Sequence, residues 1–269
     1  MKIINKGVRM KTLILLAFAL MTNIFAGEWQ EEFCGDKSLS YCINHFDRQC
    51  EAQNYIACNI VGELYLEQKQ YNKAKKYYEM VCHNANSKDT FQVERIDGSI
   101  GNKVSVINSI QLSCCNVWAF YNDGLGVRQS YEKAFQYFKK ACDLGSGNGC
   151  ATVGVAYYNG EGVRQSYEKA FQYYKKACDL GDGNGCARVG FAYYDGKGVK
   201  KDLESAIKFF AKSCELEYGN GCAMLGIFYE GGEGVTRNLS KAKEFFGKAC
   251  DLGEQKGCDL YKRLKEKGY

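Results

Sequence analysis

Cysteine is the residue with the most chemistry to offer here, and its spacing is regular. The chain of 269 residues carries fifteen cysteines. Cys142 and Cys150, Cys178 and Cys186, Cys214 and Cys222, and Cys250 and Cys258 form four pairs with one internal spacing, recurring every 36 residues. Zinc needs closely set thiolates such as CxxC, usually helped by histidine. No CxxC is present, and His45 and His83 stand apart from each other. That argues against a metal role, and no cofactor motif is seen. Cross-linking remains, because each pair would join the end of one helix to the start of the next across a seven-residue, glycine-rich loop, within reach of a disulfide. Closing so short a loop removes roughly 2.5 kcal/mol of unfolded-state entropy. The same reading pairs Cys34 with Cys42, Cys50 with Cys58 and Cys82 with Cys114. Cys115 is left over. It aligns with Ala151, Ala187 and Ala223, so it reads as a small buried residue, with a free thiol or an exchange of partners between Cys114 and Cys115 as the alternative.

A fixed period of this size predicts an all-α fold, an α/α solenoid of stacked helix pairs with one continuous core. The first helix of a unit is expected from about Cys150 to Tyr158, stopped by Asn159-Gly160-Glu161-Gly162. The second begins after Ser130, Ser166, Asp202 or Asn238, side chains that cap free backbone donors for ~1 kcal/mol each. It ends in Lys175, Lys176 and Gly181, cations and then glycine. Gly145 and Gly253 repeat that stop, whereas Glu217 departs from it. Ala74, Ala134, Ala170, Ala206 and Ala242 share one position, and Gly62, Gly154, Gly190 and Gly226 another. Both series predict close approach of neighbouring backbones. Trp118 interrupts the glycine series, so contacts there must differ.

Around this array the chain divides as follows. Residues 1–26 read as a secretory signal peptide: a basic start, an apolar run at Leu13–Met21 and a cleavage site after Ala26. The run is about half the ~20 residues a membrane span needs, so no membrane anchor is expected. Residues 27–49 form a helical N-terminal cap, 50–82 a shortened repeat and 83–113 an irregular insertion. Four regular repeats fill 114–257, and a polar capping helix occupies 258–269. The insertion has apolar residues at helical spacing (Ile96, Ile100, Val104) and at strand spacing (Val104, Val106), and its structure stays open. The formal charge is +5, but Lys2, Lys6, Arg9 and Lys11 lie in the leader and the remainder is close to neutral. That is no footprint for nucleic acid. Exported cysteines at this density fit a secreted or periplasmic protein with disulfides, expected as a monomer.

Tyr157-Tyr158-Asn159-Gly160-Glu161-Gly162-Val163, a polar cap, Tyr167-Glu168-Lys169-Ala170 and Lys175-Lys176-Ala177 resemble the Sel1-like repeat, a relative of the tetratricopeptide repeat. With Cys178-Asp179-Leu180-Gly181 and a second cysteine in every unit, the pattern is similar to the secreted bacterial cysteine-rich Sel1-like proteins, some of them catalogued as β-lactamases or penicillin-binding proteins. The resemblance implies a right-handed superhelix, export, and weak hydrolysis of penicillin and cephalosporin nuclei. A serine β-lactamase needs S-x-x-K together with S-D-N and K-T-G elements. Ser130 with Lys133 and Ser166 with Lys169 match the first element, as do Ser205–Lys208 and Ser240–Lys243. The other two elements are missing from the mature chain, and Ser130 and Ser166 already serve as helix caps. The catalytic residues are therefore unknown, with Ser130, Lys133, Ser166 and Lys169 as candidates.

Binding has the firmer footing. First-helix positions that vary between units while the packing positions stay fixed are Thr152, Arg188 and Met224; Val155, Phe191 and Ile227; and Asn159 and Asp195. At i, i+3 and i+7 they share one helical face. The expectation is a binding scaffold whose face meets a peptide-like ligand: a peptide, a cell-wall fragment or a host protein, with β-lactams as the alternative.

Overall fold

The computed structural model describes residues 37–85, 90–91, 104–105 and 107–269. The expected leader and cleavage site, Cys34 and most of the 83–113 insertion lie outside them. The chain forms two compact units, residues 1–109 and 110–269.

In the first unit, α1 (Leu39–Glu51), α2 (Tyr55–Glu67) and α3 (Tyr71–Asn84) pack in succession. Ser38 caps α1 by accepting the Tyr41 N–H, and Asn54 caps α2 by accepting that of Ala57. Phe46, Val61, Tyr78 and Val81 form a core closed to solvent. Cys50 and Cys58 join α1 to α2 with their Cα atoms 4.7 Å apart. Two residue pairs of the insertion form a short antiparallel ladder, β1 (Thr90–Phe91) against β2 (Val104–Ser105). Val104 thus takes strand and not helix.

In the second unit, α4 (Ile107–Asp123, entering from the first) is followed by α5 (Tyr131–Asp143), α6 (Gly147–Asn159), α7 (Tyr167–Asp179) and α8 (Gly183–Asp195). Then come α9 (Leu203–Glu215), α10 (Gly219–Gly231), α11 (Leu239–Asp251) and α12 (Gln255–Glu266). From α5 on, each helix packs on the next, and α6, α8, α10 and α12 also meet one another in a row. This is a right-handed α/α solenoid.

The four expected caps are present: Ser130, Ser166 and Asn238 accept from the N–H three residues on, and Asp202 from Glu204 and Ser205. Each cap's own N–H donates to the carbonyl of Tyr121, Tyr157, Tyr193 or Tyr229 at the end of the preceding helix. That bond sets the angle between the two helices of a unit. The alanine series is buried. The glycine series admits a ring, not a backbone: a Cβ at Gly62, Gly154, Gly190 or Gly226 would stand 2.4–2.9 Å from the ring of Tyr78, Tyr174, Phe210 or Phe246. Trp118 meets the same partner position, its ring 4.4 Å from that of Phe138.

The first helices start earlier than their sequence suggests. Gly147, Gly183 and Gly219 open α6, α8 and α10, so much of the loop between paired cysteines is helical. Glycine disfavours helix by about 1 kcal/mol against alanine, but close packing overrides it: a Cβ at Gly185 would lie 2.6 Å from that of Ala177. Ser146 and Asp182 cap the new starts by accepting from Gly149 and Gly185. The turn before them is left-handed at Gly145, Gly181 and Gly253, and also at Gln53 and Glu217, with φ of 63° and 58°. Glu217 therefore keeps the glycine conformation without the glycine.

The staples Cys142–Cys150, Cys178–Cys186, Cys214–Cys222 and Cys250–Cys258 hold their Cα atoms 4.5–4.6 Å apart. Cys42, Cys82 and Cys114 are also disulfide-bonded. Cys115 is the free thiol among the described residues, and it is buried.

Candidate functional site

Between α6, α7 and α8 lies a cavity of about 230 Å³. Three elements shape it. The end of α6 contributes Tyr158, and α7 contributes Tyr167, Phe171 and Tyr174; α8 presents Arg188, Phe191, Ala192 and Asp195, and the loop after it supplies Lys197. Of the eight expected ligand-facing residues, the fold brings Arg188, Phe191 and Asp195 together here. Thr152, Val155, Met224 and Ile227 are half-buried elsewhere along the row of first helices, and Asn159 is exposed. Val155, Met224 and Ile227 pack in part against the core. Phe191 sets its edge on Phe210 with centroids 4.9 Å apart, so one side of its ring is structural and the other lines the cavity.

The same positions in neighbouring units explain why the space exists. Ala192, like Ala156 in the preceding unit, stands where the next unit has Phe228, which is buried against Phe210 and Tyr194. With no ring at 192, the volume stays open. Tyr174 replaces the phenylalanine found at 138, 210 and 246. It is only 4% exposed, and its hydroxyl has no hydrogen-bond partner. Burial pushes its pKa up, and the adjacent Arg188 charge partly offsets this. The guanidinium lies 5.5 Å from the ring centroid without reaching hydrogen-bonding geometry. Arg188 Nε donates to Asn184 Oδ1 at 3.1 Å.

Lys197 replaces Glu161 and Glu233 at its loop position and reverses the charge there. Its ammonium donates to the Tyr158 hydroxyl at 2.5 Å and stands 5.0 and 5.7 Å from the rings of Tyr158 and Tyr167. That bond raises the Lys197 pKa, so the ammonium stays charged at any ordinary pH. Tyr158 and Tyr167 meet edge to face at 5.1 Å. Apolar walls, a buried hydroxyl and two cations suit recognition of a group that is part aromatic and part anionic.

Sequence reading missed Tyr158, Tyr174, Ala192 and Lys197. Tyr174 and Lys197 differ from their counterparts Phe138, Phe210 and Phe246, and Glu161 and Glu233, a signal present in the sequence on the second helix and the loop.

The candidate catalytic serines lie apart from this cavity, each within its cap. Ser130 Oγ donates to Glu132 Oε2 at 3.1 Å and accepts the Lys133 N–H; Ser166 does the same with Glu168 at 3.0 Å and Lys169. The Lys133 and Lys169 ammoniums stand over Tyr121 and Tyr157, 5.1 and 5.3 Å from the ring centroids. Both hydroxyls and both lysines are thus engaged in packing the helix pair.

Fold and cavity together define a class: a disulfide-stapled helical-repeat scaffold of the kind that carries protein–protein interaction. The chain belongs to the Sel1 repeat family, whose pattern matches residues 112–146, 149–182, 183–218 and 219–254. A tetratricopeptide repeat pattern matches residues 55–81. Among solved structures, a Sel1 repeat protein from Oxalobacter formigenes is 20% identical with a TM-score of 0.62, over 77% of this chain and 75% of that one. The protein c5321, a protective antigen present in uropathogenic Escherichia coli strains displaying an SLR fold, is 20% identical with a TM-score of 0.67. That match covers 89% of this chain and 52% of the other, so the chain spans about half the length of that relative. Helicobacter pylori cysteine rich protein B is 41% identical over 48% of this chain and 93% of its own, with a TM-score of 0.42. No curated protein sequence matches the chain. Among the described residues, no helix is long and apolar enough to cross a membrane.

Proposed function

We propose that the chain is an exported scaffold that binds a peptide-like ligand, of cell-wall or host origin, along its row of first helices. The observation that carries this reading is the convergence of Arg188, Phe191 and Asp195 on one cavity, in a unit whose packing is otherwise that of its neighbours. Staples between successive helix pairs fit an oxidising compartment outside the cytoplasm, and residues 1–26 are read as a leader removed on export.

The binding test uses the mature, oxidised chain immobilised and panned against a random peptide display library. Enriched peptides should lose binding to an Arg188→Glu/Asp195→Lys double variant, with a circular dichroism melt to check that the fold is kept. Enriched peptides that bind this variant as well as the parent would sink the assignment of the face, and failure to enrich any peptide would sink the scaffold reading itself.

A further inference from the structure

We propose that the cavity between α6, α7 and α8 is a socket for one aromatic side chain on an acidic peptide segment. The inference rests on the peptide-binding reading above and specifies what the peptide must present.

Size comes first. About 230 Å³ falls short of the 300–1,000 Å³ usual for drug-sized ligands, and it suits a single side chain. Shape and chemistry favour an aromatic one. Phe171, Phe191 and Tyr167 offer ring faces and edges, and aromatic groups pack on such surfaces in offset or edge-on arrangements. The Tyr174 hydroxyl is the polar feature of the interior. A buried hydroxyl without a partner is unfavourable, and an entering phenol or amide satisfies it by donating or accepting.

Charge argues for what flanks the ring. Arg188 and Lys197 stand at the cavity, and Lys200 and Lys201 follow on the same loop, against the lone carboxylate of Asp195. The corresponding loops carry Glu161 and Glu233 where this one has Lys197. Carboxylates beside the inserted ring would pair with these cations, and arginine in particular donates two N–H groups to one carboxylate.

Three departures from the regular repeats therefore coincide in space, an added hydroxyl at Tyr174 and new cations at Arg188 and Lys197, and they surround Ala192, where the next unit carries a ring and the preceding one has Ala156. In the next unit the same positions hold Phe228, Phe210, Met224 and Glu233. Those residues supply substitutions the fold already accommodates.

The probe is a fluorescein-labelled pentapeptide, Glu-Asp-Tyr-Asp-Glu, titrated by fluorescence anisotropy with the mature oxidised chain at low salt. Binding should weaken about tenfold or more when the peptide's tyrosine is replaced by alanine, or its acids by their amides. Ala192→Phe, which adds the ring found in the next unit, should weaken it to the same degree, as should Lys197→Glu. Tyr174→Phe should weaken the tyrosine peptide several-fold and a phenylalanine counterpart hardly at all, because about one hydrogen bond is lost. Circular dichroism melts of the variants report whether the fold is retained. Parent-like affinity in a folded Ala192→Phe variant would overturn the socket, as would failure of the parent to bind the probe. Peptides enriched from the display library whose binding is insensitive to Ala192→Phe would leave the scaffold standing and remove the socket, whereas an empty library selection removes both.

Discussion

At the scale of single residues, two side chains carry measurable consequences. Cys115 is 8% exposed, and burial pushes its thiol up to about 11, with a Ser146 hydrogen bond acting in the opposite sense. Thiolate is the reactive form, so at pH 8 the native chain should give no reaction with a thiol reagent, and unfolding without reductant should release one thiol. A rapid native reaction would show that Cys115 is accessible. Glu217 adopts φ of 58° at a turn where three other units have glycine. A left-handed conformation costs a side-chain-bearing residue about 1–2 kcal/mol, and glycine returns part of that through unfolded-state entropy. Glu217→Gly should therefore stabilise the chain by roughly 0.5–1 kcal/mol in urea unfolding. Sequence spacing marked both positions as departures. It did not show that Glu217 keeps the turn instead of altering it, because the hydrogen bond from its N–H to the Cys214 carbonyl is set by the seam and not by the side chain.

At the scale of helices, the glycine series is a test of packing against propensity. Gly190→Ala gains intrinsic helicity, about 1 kcal/mol, but its Cβ would stand 2.9 Å from the Phe210 ring. Overpacking of this kind costs about 1–3 kcal/mol, and with Phe210 held between Phe191 and Phe228 the ring has little room to move. The substitution should destabilise on balance. Gly231→Ala, with open space around it, should be neutral or mildly stabilising in the same thermal melts. Much of this level was legible beforehand: the helix pairs, the caps at Ser130, Ser166, Asp202 and Asn238, and the staples all follow from local chemistry repeated in register. Two things were not. Glycine at 147, 183 and 219 reads locally as loop, and only the closeness of the preceding helix makes it helix. The cavity depends on Ala192, a residue that contributes by lacking a ring, and on Tyr174 and Lys197, which sit on different elements. No single helix face could display that combination.

At the scale of the molecule, a stacked array is stabilised mainly by each unit and its nearest neighbours. A staple at the end and one in the middle should therefore matter differently, although each closes the same short loop and is worth roughly 2.5 kcal/mol. Replacing Cys250 and Cys258 by alanine should lower hydrogen-exchange protection over α12 and leave α5–α8 unchanged. Replacing Cys178 and Cys186 should lower it on both sides of the α7–α8 seam. Equal and global loss in both variants would mean that the unit unfolds as one cooperative block. The left-handed turn after the second helix has a consequence of another kind. It recurs at Gln53, Gly145, Gly181, Glu217 and Gly253, so the chain leaves α1, α5, α7, α9 and α11 by the same path and enters the following helix from the same direction. The junctions are therefore interchangeable. Residues 127–145 and 163–181 differ only at Phe138 and Tyr174, which makes them ready sites for unequal crossing-over in the gene. Such an exchange adds or deletes one whole unit and splices a seam already known to fit. A chain lacking residues 146–181 would join Gly145 to Asp182 and keep every remaining staple in phase. The binding face can thus lengthen or shorten over generations in whole steps.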